Sequence, residues 1–273
     1  MNPPAPQHPP LLAWRWSGAA FQPCESLPLS DRGFRYGMAV FESLRVTGGE
    51  AEFFDKHLQR LLQACAERAI PCEESVLVAV AEVWRANSAN GFARIYVTAG
   101  DGGPADSVTA ARVYILLEAR TPPDPDNPWE LTLCEETHRP AFPGLKTANY
   151  WFHCAALAHA RQRGFDESLL FNERAELVSA SMANVFVLRD ERLCTPPRSS
   201  GCRTGVIREW VIGRRKVEER RLFREDVLRA DEIFLTNSWI GVMPVATLEG
   251  RPLGPRSIGP RLAAELANRR SEV

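Results

Sequence analysis

Near the middle of a 273-residue chain, Thr121-Pro122-Pro123-Asp124-Pro125-Asp126-Asn127-Pro128 places four prolines in eight residues. Each proline fixes φ and removes an N–H, so this stretch can enter neither a helix interior nor a central strand. It reads as a linker, 121–128, between an N-terminal domain, 1–120, and a C-terminal domain, 129–273.

The first part switches between the two hydrophobic periods. Val40 to Val46 alternates like a strand, and Thr47-Gly48-Gly49 turns it back into Glu50 to Phe54. Leu58, Leu61, Leu62 and Cys65 then recur at helical spacing, leaving His57 and Arg60 on another face, and Pro71 marks the helix end. Glu74 to Asn87 predicts a second helix. Ala93 to Ala99 and Ala111 to Ala119 predict two strands joined by the Gly100 to Pro104 loop, which completes an α+β unit. Beyond the linker the patterns predict strands near 129–137, 166–172, 177–188, 216–222 and 231–237, and helices near 149–163, 204–214 and 256–270.

A formal net charge of −1 gives no electrostatic reason to bind nucleic acid or an anionic membrane. The seven cysteines are scattered and lack a paired CxxC spacing, so reduced thiols, most of them core residues, are expected rather than a disulfide framework or a metal site. Residues 1–16 lack a basic segment followed by an apolar one, and no later segment is long and uncharged enough to span a bilayer. The expected location is the cytoplasm.

Only Lys56, Lys146 and Lys216 interrupt an otherwise arginine-only set of basic residues. Lys146 sits in Gly144-Leu145-Lys146-Thr147-Ala148-Asn149-Tyr150, between an extended segment and a helix. A Schiff base to an aldehyde needs a primary amine that can lose its proton, which a guanidinium cannot do in a protein. Lys146 is therefore the first candidate for chemistry.

Six segments follow one another along nearly the whole chain: Asp31 to Glu42 (DRGFRYGMAVFE), His57-Leu58-Gln59-Arg60-Leu61, Lys146-Thr147-Ala148-Asn149-Tyr150, Ser181-Met182-Ala183-Asn184-Val185-Phe186, Gly205-Val206-Ile207-Arg208 and Leu235-Thr236-Asn237-Ser238. In this order and spacing they resemble the class IV pyridoxal-phosphate aminotransferase family, which includes branched-chain and D-amino-acid aminotransferases and aminodeoxychorismate lyase. The resemblance implies a two-domain, mixed α+β and α/β, D-amino-acid-aminotransferase-like fold (fold type IV), the cofactor pyridoxal 5'-phosphate and a homodimer.

The same resemblance implies individual roles. Lys146 matches the Schiff-base lysine, which also shuttles the Cα proton. Arg60 matches a phosphate-binding arginine, the other reading being an exposed helix arginine. Val206 and Ile207 offer backbone N–H groups to the phosphate at a helix start, Ile207 standing where family members often carry threonine. Ser238 matches a phosphate-binding hydroxyl, or else caps a turn at a strand end. Tyr150 matches the tyrosine on the cofactor's phenolic oxygen, or packs into the core. His57 is given no role.

Two departures matter. Counting back from Asn184, the family's pyridine-facing glutamate falls on Ser179, and a serine holds the ring nitrogen's proton less well than a carboxylate. Glu176, three residues earlier on the expected strand, points to the opposite face unless a bulge intervenes. The Thr98-Ala99-Gly100-Asp101 stretch resembles the lyase's loop but carries Ala99 in place of its arginine, leaving Arg35 and Arg203 as candidates for a substrate carboxylate. These features imply chemistry at Cα of an amino-acid-type or keto-acid substrate, with aminodeoxychorismate-lyase-like elimination ahead of branched-chain-type transamination. A third reading is a cofactor-free relative acting as a binding or scaffold protein.

Overall fold

In the computed structural model, which describes residues 11–271, the alternating segments of the first part pair into one antiparallel sheet. Its elements are β1 (Leu11–Trp16), β2 (Phe21–Pro23), α1 (Arg32–Tyr36), β3 (Ala39–Thr47), β4 (Glu50–Ala51), α2 (Phe54–Glu67), α3 (Glu74–Ala86), β5 (Gly91–Thr98) and β6 (Arg112–Glu118). The strand order is β2-β1-β6-β5-β3-β4. The apolar stripe of α2, which includes Leu58, Leu61 and Cys65, is buried, and α2 packs on β3.

The second part contains β7 (Trp129–Leu133), α4 (Trp151–Gln162), β8 (Glu167–Phe171), β9 (Leu177–Ala180), β10 (Asn184–Arg189), β11 (Arg192–Thr195), α5 (Val206–Ile212), β12 (Glu218–Glu219), α6 (Arg224–Leu228), β13 (Glu232–Asn237), β14 (Gly241–Leu248), β15 (Arg251–Pro252) and α7 (Ile258–Ser271). Its sheet runs β12-β11-β10-β13-β14-β7-β8-β9, with β15 on β14. Leu131, Leu169, Val185, Leu235 and Val245 form the centre of its core. Among the described residues no helix is long and apolar enough to cross a membrane.

Contacts divide the chain between Pro122 and Pro123, inside the proline-rich stretch. One short segment departs from chain order: Lys146–Ala148 belongs to the first unit, although Leu145 and Asn149 on either side belong to the second. The lysine expected in the C-terminal domain therefore packs with the N-terminal one.

Two expected strands also differ. The single strand over 177–188 is two, β9 and β10, separated by a turn at Ser181–Ala183. That turn contains neither glycine nor proline. It is held by the buried Glu167 carboxylate, which accepts the backbone N–H groups of Ser181 and Met182 at 3.1 Å each and also bonds the Ser181 hydroxyl. A side chain fourteen residues away thus sets a reversal that local sequence does not signal. The strand expected over 216–222 shrinks to Glu218–Glu219, because in this charged stretch only these residues pair, in parallel, with Cys194 and Thr195. All seven cysteines are free, but only Cys65, Cys194 and Cys202 are buried, so most are not core residues as expected.

The hairpin turns carry residues in the left-handed region, Ala175 at φ 56° between β8 and β9 and Glu191 at φ 61° between β10 and β11. For a residue with a Cβ that conformation costs about 1–2 kcal/mol, against about 0.5–1 kcal/mol of extra chain entropy lost by a glycine. Ala175→Gly and Glu191→Gly should therefore each stabilise the protein by about 0.5–1 kcal/mol, read as raised denaturation midpoints at unchanged m.

Candidate active site

β3 pairs with β5 along Ala39–Val46 on one side, but β4 covers only Val46 and Thr47 on the other. The first half of that edge would leave N–H and C=O groups without partners. Lys146–Ala148 supplies them: Phe41 N–H donates to Lys146 O at 2.9 Å, Ala148 N–H donates to Ala39 O at 2.9 Å, and Thr147 faces Val40 in an antiparallel bridge. The backbone of the candidate lysine is thereby fixed as a short added strand. Its Nζ lies 4.1 Å from the centre of the Phe41 ring, which in turn stacks on Tyr96.

Glu42, the next residue along β3, is buried and faces α2. Arg60 holds its carboxylate in a two-pronged pair, Nε to Oε1 at 2.7 Å and a terminal nitrogen to Oε2 at 2.5 Å, and His57 Nδ1 lies 2.9 Å from Oε2. Burial alone would raise the Glu42 carboxyl. The Arg60 charge and the hydrogen bonds from His57 and Arg60 outweigh burial and hold it well below the usual carboxylate range. Burial lowers the basicity of His57, and since a carboxylate can only accept, the 2.9 Å contact places an Nδ1–H toward Glu42 Oε2. Arg60 is thus neither an exposed helix arginine nor an uncommitted cation, since two of its nitrogens already serve Glu42. The motif flagged His57 and Arg60 on one helix face, but it gave no sign that Glu42 joins them.

In the second unit, side-chain hydrogen bonds draw several loops together. His153 in the first turn of α4 bonds Ser181 O through Nδ1 at 2.8 Å. Asn237 donates to Met182 O at 3.0 Å and accepts the N–H groups of Trp239 and Ile240 at 2.8 Å, which orders the β13–β14 turn containing Ser238. Asn184, paired across the sheet with Thr236, donates to Arg203 O at 2.8 Å and so holds the loop before α5. A Cβ on Gly205 would lie 2.1 Å from Asn184 Oδ1, so only glycine fits that approach. Gly205 caps α5 without a side-chain bond, leaving the N–H groups of Val206 and Ile207 in an uncapped first turn. Arg203 bonds the Tyr150 hydroxyl and lies over its ring, 4.9 Å from the centre.

Ser179 lies half-buried on β9 opposite Leu170. The bulge that would realign Glu176 is present, since Leu170 pairs with Ser179 but Phe171 with Leu177. Glu176 is nevertheless committed elsewhere. Its carboxylate accepts from Arg174 at 2.9 Å and Asn172 at 3.0 Å and pairs with Arg221 at 3.3 Å, and the bond from Arg174 leads the effects that pull it down to about 2. Ala99 is fully buried, and its carbonyl accepts from Arg32 at 2.6 Å. Arg35 is exposed. Glu167 and His153, missed in the sequence, had one signal: polar residues inside otherwise apolar helical and strand patterns.

Because Glu42 is buried, Arg60→Ala strands a charge as well as deleting a cation. The variant should lose about 3 kcal/mol of stability by denaturant unfolding, and adding Glu42→Gln should return part of it. Glu42 has a depressed folded value, so its stabilisation is complete above its unfolded value of about 4.3 and declines as pH falls below that. Glu42→Gln should flatten that acid limb; an equally steep limb would place the proton uptake elsewhere.

Residues 39–248 match the amino-transferase class IV family. The chain is 25% identical to the branched-chain-amino-acid aminotransferase of Escherichia coli over 276 residues, covering 90% of this chain and 85% of that protein. It is likewise 25% identical to the aminodeoxychorismate lyase of Vibrio harveyi over 240 residues, covering 82% and 88%. The crystal structure of 4-amino-4-deoxychorismate lyase from Pseudomonas aeruginosa superposes with a TM-score of 0.83 at 26% identity, covering 94% of this chain and 98% of that one. Fold type IV, expected from the motifs, is the observed fold. With that match spanning most of the chain, this protein belongs to the class IV amino-transferase family.

Proposed function

We propose that the protein is a pyridoxal-phosphate-dependent enzyme acting at Cα of an amino-acid-type substrate through Lys146, with aminodeoxychorismate-lyase-like elimination favoured. When bound, pyridoxal phosphate supplies an aldehyde that an amine can capture and a ring that withdraws electrons from Cα. Each unit carries donors whose chemistry suits such a group. In the first, Lys146 offers a primary amine on a fixed backbone and Arg60 a guanidinium; in the second, Val206 and Ile207 offer uncapped N–H groups, Ser238 a hydroxyl and Tyr150 a phenol. Lys146 would capture the aldehyde and, once displaced by substrate, move the Cα proton. Its placement by the β3 edge carries this reading.

The preference for elimination rests on Ser179. The two nearby carboxylates are already engaged, Glu176 by arginines and Glu167 by the Ser181–Met182 turn, so neither replaces the missing partner of the ring nitrogen. A weaker electron sink handicaps transamination most. Branched-chain-type transamination is the second reading, supported by the equal identity to the Escherichia coli enzyme. We also propose a cytoplasmic homodimer, as the family resemblance implies.

Borohydride reduction of protein loaded with pyridoxal phosphate should leave the phosphopyridoxyl label on Lys146; a label on Lys56 or Lys216, or none, defeats the assignment. Incubated with aminodeoxychorismate, the enzyme should release pyruvate and 4-aminobenzoate, whereas stoichiometric pyridoxamine phosphate from a single amino donor would favour the transaminase. Ser179→Glu should speed pyridoxamine phosphate formation in single turnover. An unchanged rate with cofactor bound would remove Ser179 from the ring nitrogen.

A further inference from the structure

Arg203 stands in the loop before α5, and its side chain donates in three directions within the second unit. Nε donates to Leu145 O at 3.2 Å, one terminal nitrogen donates to the Tyr150 hydroxyl, and the other lies 3.3 Å from His153 Nε2. Leu145 and Tyr150 flank residues 146–149. One guanidinium thus holds both ends of the four-residue segment that contains Lys146.

The acceptors are prepared. Ser181 O can only accept, so the 2.8 Å contact to His153 Nδ1 puts the imidazole proton on Nδ1 and leaves the Nε2 lone pair for Arg203. Ser181 is itself held by Glu167 through its N–H and hydroxyl. Glu167, Ser181, His153, Arg203 and Tyr150 therefore form one continuous run of hydrogen bonds, and its last members fix the lysine segment. Three of the five guanidinium N–H groups are spent on this network, which makes Arg203 part of the scaffold rather than an open trap for a substrate carboxylate.

We propose that Arg203 is a positioning residue that clamps both ends of the Lys146 segment and thereby sets how fast Lys146 captures an aldehyde. The second half of this statement rests on the function proposed for Lys146, whereas the clamp itself can be read without cofactor. An ammonium is a compact point charge and cannot reach a carbonyl, a phenol and an imidazole in three directions, so lysine should not substitute.

The test uses full-length protein with Arg203→Met, Arg203→Gln and Arg203→Lys. In cofactor-free protein, hydrogen exchange of peptides spanning 145–150 should accelerate at least tenfold in all three variants, while peptides from β13 and β14 exchange as in the wild type. The rate of covalent capture of pyridoxal phosphate by Lys146, followed by absorbance, should fall at least tenfold, with Arg203→Lys giving no rescue. Unchanged exchange at 145–150 overturns the clamp, as does acceleration spread equally over β13 and β14 in both Arg203→Met and Arg203→Gln. Faster local exchange with an unchanged capture rate overturns the link to Lys146. Wild-type protein that captures no pyridoxal phosphate at Lys146 sinks the proposed function and that link together, and the exchange arm still decides the clamp.

Discussion

The unfilled edge of β3 is the constraint on which the candidate site depends. A strand that is paired on one side from Ala39 to Val46 and with β4 on the other over only two residues must find partners for its remaining backbone groups. The chain meets that demand with Lys146–Ala148, and the Lys146 side chain is placed as a by-product of closing a hydrogen-bond ladder. A lysine on a free loop would sample many positions. One whose neighbours are ladder-bonded keeps only its side-chain rotamers to be ordered.

Beside that edge, Glu42 shows how a buried charge can fix the orientation of its neighbours. Its burial would be unfavourable alone, and the pairing with Arg60 and His57 makes it tolerable. The arrangement also ties α2 to the sheet by polar contacts as well as by its apolar stripe. Any anion that Arg60 binds must share the guanidinium with Glu42. That sharing weakens the cation as a receptor and sharpens its orientation.

Much of the fold was legible because its signals are local. The alternation of Val40 to Val46, the helical spacing of Leu58, Leu61 and Cys65, and the prolines of 121–128 each speak for their own few residues. The Ser181–Ala183 turn was not legible, since a buried carboxylate on another strand makes it. The same holds for the site. Lys146 stood out by residue type and motif, and Ser179 by its departure from motif. Arg203 was visible only as a position, because its meaning lies in three partners separated from it by fifty or more residues. The placement of Lys146 with the first unit was likewise hidden, since chain order assigns it to the second.

The bulge between β8 and β9 has a consequence for how such a chain can diverge. It takes up one residue between Leu177 and Ser179, so the register of the Asn172–Glu176 turn is decoupled from that of Ser179 and the residues leading to Asn184. Insertions or deletions in the distal turn can be absorbed at the bulge without rotating Ser179 off its face. Loop length on one side of the hairpin and residue identity on the other are thus free to drift independently, which lets a lineage alter the group facing Ser179's surroundings by point substitution alone, with the strand frame left intact.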